Sequence, residues 1–377
     1  AETELKLSAM LNVIGETRAD ALVFPRANLK LAFCSRCGFV ANTWFDPKVH
    51  RYSSGYEETQ GFSGRFSTFA DSLARRLVEQ YDLRGKDMLE IGCGKGEFLL
   101  LLNRYSGSRC VGIDPSYVPE RLPEAAGAPI TFIRDFYSEK YASLTADFIC
   151  CRHTLEHIAP TCEFLTTLRR AIGDRMDTLV FFEVPDVLRV LREGAFWDIY
   201  YEHCSYFTAG TLARLFQRLG YVVTGLTLVF DAQYIVLTAE PGVGPVTAVR
   251  DAEEGLSELT RAVGVFSEAV ARQVEHWRRT IAGARADRRR IAVWGAGSKC
   301  VSFLTTLGLD REIDSVVDVN PHKHGTFLPG SGHEVIPPAR LAESRPDVVV
   351  VMNPAYVGEI SRQLHGMGLR NAAVIPV

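Results

Sequence analysis

Between Trp197 and Thr208 the chain reads Trp-Asp-Ile-Tyr-Tyr-Glu-His-Cys-Ser-Tyr-Phe-Thr, its densest polar-aromatic cluster. His203 is the side chain best suited to take up a proton near neutral pH, and Glu202 beside it can orient an imidazole. The hydroxyl of Tyr200 or Tyr201 can bind an oxyanion. The plainer alternative is that His203 satisfies a buried backbone carbonyl. A second constellation lies upstream, in Glu90-Ile91-Gly92-Cys93-Gly94-Lys95-Gly96. There an apolar run ends in an acid, and three glycines follow at alternate positions. Glycines let backbone come close to a ligand at a strand end, and Asp114, closing the next apolar run, can accept hydrogen bonds from two ribose hydroxyls. The order strand, glycine turn, helix, strand, acid predicts a site for a nucleoside-bearing cofactor.

The elements that must hold these groups are legible as alternating strand and helix patterns from about 85 to 240, the signature of a parallel sheet covered on both faces. The third strand is expected over Thr131–Phe136, with Asp135 at its end placed to reach an adenine amino group or simply to cap a turn. The fourth is expected over Ala146–Cys151, followed by His153 and His157 where ligands approach such sheets. His153 is counted with the cofactor contacts, and His157 is read as structural. The fifth runs over Thr178–Pro185, with Glu183 beside the expected transfer point. An amphipathic helix is expected from Phe66 to Tyr81. The domain reading is an N-terminal module over 1–70, a cofactor domain over 71–240, a helical connector over 241–288, and a C-terminal unit over 289–377. The last opens with Arg290–Lys299, a second strand and glycine turn, so it reads as a smaller Rossmann-like unit.

Three further features carry open alternatives. Cys34-Ser35-Arg36-Cys37-Gly38 has the form of half a tetrahedral zinc site. Either two more ligands lie upstream of Ala1, with His50 the nearest other candidate, or these are two ordinary buried thiols. The segment Tyr52–Gln60, which includes Tyr56, is either a lid over the cofactor domain or a solvated connector. The second glycine turn, Gly295-Ala296-Gly297 with Lys299, either cradles phosphate through backbone amides and one cation or is structural.

A length of 377 residues predicts two or three domains, and 47% hydrophobic with 23% charged residues is an ordinary globular composition. A net charge of −3 gives no broad electrostatic reason to bind nucleic acid. No apolar run is long enough to span a membrane, and Glu2, Glu4 and Lys6 break any signal-peptide core. Nine scattered cysteines suit a reducing cytoplasm.

The Glu-x-Gly-x-Gly-x-Gly run resembles the first motif of class I S-adenosylmethionine-dependent methyltransferases. Over nearly its whole length the chain is similar to the three-domain sugar C-methyltransferases. That likeness is carried by the Cys34/Cys37 knuckle, the Tyr200–Tyr206 run, and the stretch from Gly295 through Asp318–Gly325 to Leu328-Pro329-Gly330 and Pro346-Asp347. The resemblance implies an α/β protein with a small zinc-binding module, a class I methyltransferase domain and a Rossmann-like C-terminal domain that helps hold a nucleotide-linked sugar. With the strand-end positions it gives expected cofactor contacts at Glu90, Gly92, Gly94, Gly96, Asp114, Asp135 and His153. Substrate contacts are expected at Tyr56, Glu183, Tyr206 and Lys299, with His203 as base and Glu202, Tyr200 and Tyr201 beside it. The acceptor would be a 4-keto sugar, whose ketone acidifies the proton at carbon 3. Three stretches depart from the family pattern. Tyr201-Glu202-His203 replaces His-Glu-His, Asp231–Tyr234 replaces His-Gly-Gly-Ser, and Met352–Tyr356 replaces a Trp-Asn-Phe-like run. All lie where acceptor contacts are expected, so O- or N-methylation of another small intermediate stays open. A non-catalytic nucleotide sensor and, last, a dehydrogenase are the readings from other classes.

Overall fold

A computed structural model describes residues 7–10, 16–49, 57, 59–243 and 255–377. Tyr56, His50 and most of the expected lid lie outside the described residues.

Strands β1 (Leu7–Met10) and β2 (Arg26–Leu29) flank helix α1 (Arg18–Leu22), and β3 (Leu31–Phe33) and β4 (Val40–Asn42) form the knuckle hairpin. Helix α2 (Gly64–Gln80) starts where the Ser63 hydroxyl accepts the Phe66 amide. It buries Ala70, Leu73, Ala74, Leu77 and Val78, one helical stripe. Then follow β5 (Met88–Ile91), α3 (Glu97–Ser106), β6 (Cys110–Ile113), β7 (Ile130–Ile133), β8 (Phe148–Arg152), α4 (Thr161–Ile172), β9 (Leu179–Pro185), α5 (Val187–Glu193), β10 (Ser205–Tyr206), α6 (Ala209–Arg218), β11 (Tyr221–Val229) and β12 (Tyr234–Pro241). The main sheet has the order β11-β12-β9-β8-β5-β6-β7, with β12 antiparallel to both neighbours. Its parallel strands β5, β8 and β9 are apolar and buried on nearly every residue, as a sheet covered on both faces requires.

The chain leaves β5 toward β6 and β7, then returns on the other side of β5 through β8 and β9. The strand order therefore reverses between β5 and β8, and ligands of such sheets bind in the crevice at that reversal. Strand β7 stops at Ile133, short of the expected Phe136. Asp135 turns the chain there, with its carboxylate accepting the Phe136 amide, Lys140 Nζ and the Tyr141 hydroxyl.

Helix α7 (Leu256–Ala286) is more than a connector. Its inner face, including Leu259, Val263, Phe266, Trp277 and Ile281, joins a core shared with the knuckle hairpin, α5 and the C-terminal unit. That unit contains β13 (Ile291–Trp294), α8 (Ser298–Leu307), β14 (Ser315–Val317), β15 (Val335–Ile336), α9 (Leu341–Ser344), β16 (Val348–Val351), α10 (Val357–Gly366) and β17 (Ala373–Pro376). Its parallel sheet has the order β15-β14-β13-β16-β17, so it too reverses beside its glycine turn, between β13 and β16.

The hairpin of the N-terminal module also positions the polar-aromatic cluster. Strand β10 pairs antiparallel with β4, Ser205 opposite Ala41 and Tyr206 opposite Val40. Among the described residues no helix is long and apolar enough to cross a membrane.

Candidate active site

One cavity of about 1780 Å³ runs from the glycine turn after β5, past the cluster around His203, to the glycine turn of the C-terminal unit. Ligand pockets usually measure about 300–1,000 Å³, so this one has room for two ligands side by side.

At the cofactor end Gly92, Gly94 and Gly96 all have left-handed backbone, with φ of +73°, +54° and +91°. A Cβ on Gly92 would fall 2.0 Å from Thr154 Oγ1, and one on Gly96 would fall 2.5 Å from the Phe132 ring. Only glycine fits this cradle. Asp114 lines it. One carboxylate oxygen accepts the Gly94 amide at 2.8 Å, and the other takes the Ser116 amide and hydroxyl. A carboxylate has about four acceptor positions, so capacity for ribose hydroxyls remains. Asp135 also lines the cavity, with its carboxylate tied to Lys140 and Tyr141. Those bonds hold it at a pKa of about 2. Glu90, under the cradle, is buried, and its Oε2 has no hydrogen-bond partner. Burial pushes its pKa up to about 8, with Asp114 adding to the rise against the pull of Arg152. An orphaned acid beside a glycine cradle suits a ligand carrying both a nucleoside and positive charge, which S-adenosylmethionine does.

At the acceptor end Tyr200, His203 and Tyr206 line the cavity. The Tyr200 hydroxyl donates to Asp198 at 2.9 Å, and the Tyr206 hydroxyl donates to the Tyr200 carbonyl at 2.8 Å. The His203 ring packs edge-on against Tyr200 and His157, each with centroids 4.7 Å away. Burial lowers its pKa to about 3, so this imidazole is uncharged at neutral pH. The bland expectation that it serves a backbone carbonyl does not apply among the described residues. His157 fills that role, its Nδ1 donating to the Glu202 carbonyl at 3.2 Å. Glu156, His157 and His203 place potential ligand atoms within 4.8 Å of one another, and burial pushes the Glu156 pKa up to about 8.

Four expected site residues are placed differently. Tyr201 is buried away from the cavity, its hydroxyl donating to the Trp44 carbonyl and accepting the Asp46 amide, so it braces the N-terminal module. The Glu202 carboxylate accepts from Ser298 at 2.9 Å and anchors the start of α8 rather than orienting His203. Glu183 is wholly buried in mid-strand beside Arg152, whose Nε reaches it at 2.6 Å. It does not line the cavity. Lys299 faces the cavity with its ammonium 2.8 Å from Asp198, which Arg189 also holds, so it is not a free phosphate cation.

The cavity is closed by two residues of the Tyr52–Gln60 segment, Glu57 and Gln60, and by others that the sequence did not single out. Glu57 holds Arg121 and accepts from Asn320, joining the segment before α2 to both larger units. Gln60 bonds the hydroxyls of Tyr234 and Tyr356. Gln233 and Asn353 exchange two amide hydrogen bonds of 2.9 and 3.0 Å. The one sequence signal for Gln233, Tyr234, Asn353 and Tyr356 was that they fall in two stretches that depart from the family pattern.

Cys34 and Cys37 are exposed at the hairpin turn, so they are not the pair of ordinary buried thiols that the sequence left open. The Cys37 and Arg36 amides point at the Cys34 sulfur and lower its pKa, as at a thiolate-holding knuckle. Among the described residues no third His, Cys, Asp or Glu joins them.

The sheet order, glycine cradle and acid after the second strand together define a class I methyltransferase. Residues 62–226 match the model of a methyltransferase domain, and residues 238–377 match that of the C-methyltransferase C-terminal domain. The chain is 30% identical over 357 residues to the C-methyltransferase NovU of Streptomyces niveus, covering 90% of this chain and 82% of that protein. Solved structures similar to it include the 1,6-didemethyltoxoflavin-N1-methyltransferase of Burkholderia thailandensis, at TM-score 0.37 and 19% identity, over 46% of this chain and 78% of that one. Another is the magnesium protoporphyrin IX methyltransferase of Synechocystis PCC 6803, at TM-score 0.37 and 18% identity, over 47% and 84%. The chain belongs to the C-methyltransferase family and is an S-adenosylmethionine-dependent methyltransferase.

Proposed function

We propose that this enzyme methylates a carbon of a nucleotide-linked keto-deoxysugar. The observation that carries this reading is the shared cavity. Its far wall is the second glycine turn, with Gly295, Gly297, Asp318 and Asn320, well beyond what the cofactor cradle needs. Bound at Gly92, Gly94 and Asp114, S-adenosylmethionine supplies an electrophilic methyl group. The chain's own residues orient the acceptor against it and handle its proton. Tyr200 and Tyr206 wall the acceptor, and three imidazoles face the cavity. His203 is the base that the resemblance implies, and His153 and His157 are the others. The test is incubation of the enzyme with S-adenosylmethionine and a thymidine-diphosphate-linked 4-keto sugar. A new C-methyl product supports the reading, and a product methylated only on oxygen or nitrogen refutes it.

A second reading has its own observation. Gln233, Tyr234, Asn353 and Tyr356 lie in stretches that depart from the family pattern, and all four line this same cavity. They support O- or N-methylation of another small natural-product intermediate. For the knuckle we propose structural zinc, completed by ligands outside the described residues and testable by metal analysis of the purified protein. None of the nine cysteines is disulfide-bonded, which is compatible with the expected cytoplasmic setting.

A further inference from the structure

His153 and Glu183 form a pair that the roles assigned so far leave idle. Strands β8 and β9 run parallel with Arg152 opposite Glu183. Glu183 takes Arg152 on one carboxylate oxygen, and the other, Oε1, lies 3.3 Å from His153 Nε2. Both of those atoms are buried and neither has a hydrogen-bond partner, so the two stand close without yet forming a hydrogen bond. Burial works against the charge on Glu183, but Arg152 and His153 outweigh it and hold the carboxyl at about 2.

The backbone is bent to make this contact. His153, the first residue past β8, has φ +48°, a left-handed conformation that strains an ordinary side chain. Its amide donates to the Glu183 carbonyl at 2.8 Å, and the Tyr234 ring meets the imidazole edge-on at 4.5 Å. The side chain is about a quarter exposed (26%) and lines the cavity. With Nε2 facing the carboxylate, Nδ1 is the nitrogen left for a ligand. The next residue, Thr154, is the one that a Cβ on Gly92 would strike. The pair therefore stands one residue from the cofactor cradle, at the reversal of strand order. His203 has no carboxylate bonded to it among the described residues, and its burial disfavours the imidazolium a base becomes.

We propose that His153, oriented by Glu183, takes the proton from the acceptor carbon, while neutral His203 hydrogen-bonds the adjacent ketone oxygen. This rests on the keto-sugar reading. The C–H bond breaks, and the proton goes to His153 Nδ1. The electron pair stays on carbon and spreads onto the ketone oxygen as an enolate. The Glu183 carboxylate offsets the charge of the imidazolium, and the proton then passes to solvent. No oxidant or reductant is needed.

The half-reaction tests this without methyl transfer. Enzyme holding S-adenosylhomocysteine is incubated in deuterium oxide with a thymidine-diphosphate-linked 4-keto sugar, and deuterium entering the carbon next to the ketone is followed by NMR. The wild type should exchange. H153N keeps a residue that tolerates left-handed backbone, and it should slow exchange by about 100-fold or more. Its calorimetric affinity for thymidine diphosphate, at the far end of the cavity, should stay within about threefold of wild type, showing that the fold is intact. H203N keeps a hydrogen-bond donor and should slow exchange by no more than about tenfold. Exchange abolished in H203N but unchanged in H153N would overturn the proposal and return the base to His203. No exchange by wild type that binds thymidine diphosphate would overturn the keto-sugar reading and the proposal with it.

Discussion

A single added methyl group tests the cofactor end. Gly92→Ala puts a Cβ 2.0 Å from Thr154 Oγ1 at a φ of +73°, where an L-residue is strained by roughly 1–2 kcal/mol. The turn must move, and S-adenosylhomocysteine affinity measured by calorimetry should fall at least about tenfold, with the far-ultraviolet spectrum unchanged. At the acceptor end His203→Ala should lower turnover by about 100-fold while cofactor affinity changes little, because the ring lines the acceptor wall and not the cradle. Residue types told where chemistry sits, yet not which side chains are free for it. Lys299 on a glycine turn reads as a phosphate cation until Asp198, about a hundred positions away in sequence, is found holding it. Glu202 stands next to His203 in sequence but sits in a turn, and its carboxylate meets Ser298 of the C-terminal unit.

At the scale of elements, the hairpin between β11 and β12 carries three consecutive left-handed residues, Phe230, Asp231 and Ala232, with φ of +51°, +55° and +57°. The family pattern has glycine at the Ala232 position. Ala232→Gly should therefore stabilise the protein by about 1 kcal/mol in urea unfolding, since the relieved backbone outweighs the added freedom of the unfolded chain. Strand β5 carries a buried acid with a different signature. Glu90 has a folded pKa of about 8, well above its unfolded value of 4.5. Below the unfolded pKa both states are protonated. As pH rises toward 8 the unfolded state ionises first, so stability is lost across that window. Without ligand, Glu90→Gln should match wild type in melting temperature near pH 4.5 and exceed it at pH 8. The strands and helices around this acid were legible from alternating patterns and glycine turns, which are local signals. The boundary of β7 was not, because it depends on where the Asp135 side chain finds Lys140 and Tyr141. Nor was the burial of α7, whose charged sequence conceals an apolar stripe covered by three other parts of the chain.

For the whole molecule, the contacts that close the cavity join residues far apart in sequence. Gln60 stands between Tyr234 of the methyltransferase sheet and Tyr356 of the C-terminal unit. Gln60→Ala leaves both hydroxyls without that partner and should cost about 1–3 kcal/mol. Hydrogen exchange should quicken at the segments around Tyr234 and Tyr356, with the β5–β8 core unaffected. Such junctions leave no periodic trace in a sequence, so a two-sheet architecture can be read while the seam between the sheets cannot. The seam matters because the account's central claim is that one cavity takes the cofactor at one sheet and a nucleotide-linked acceptor against the other. Calorimetric titration of thymidine diphosphate into enzyme saturated with S-adenosylhomocysteine tests that claim most directly. Saturable binding, weakened by Asp318→Ala at the second glycine turn, is the predicted result. Absence of binding, with the cofactor site filled, would contradict it.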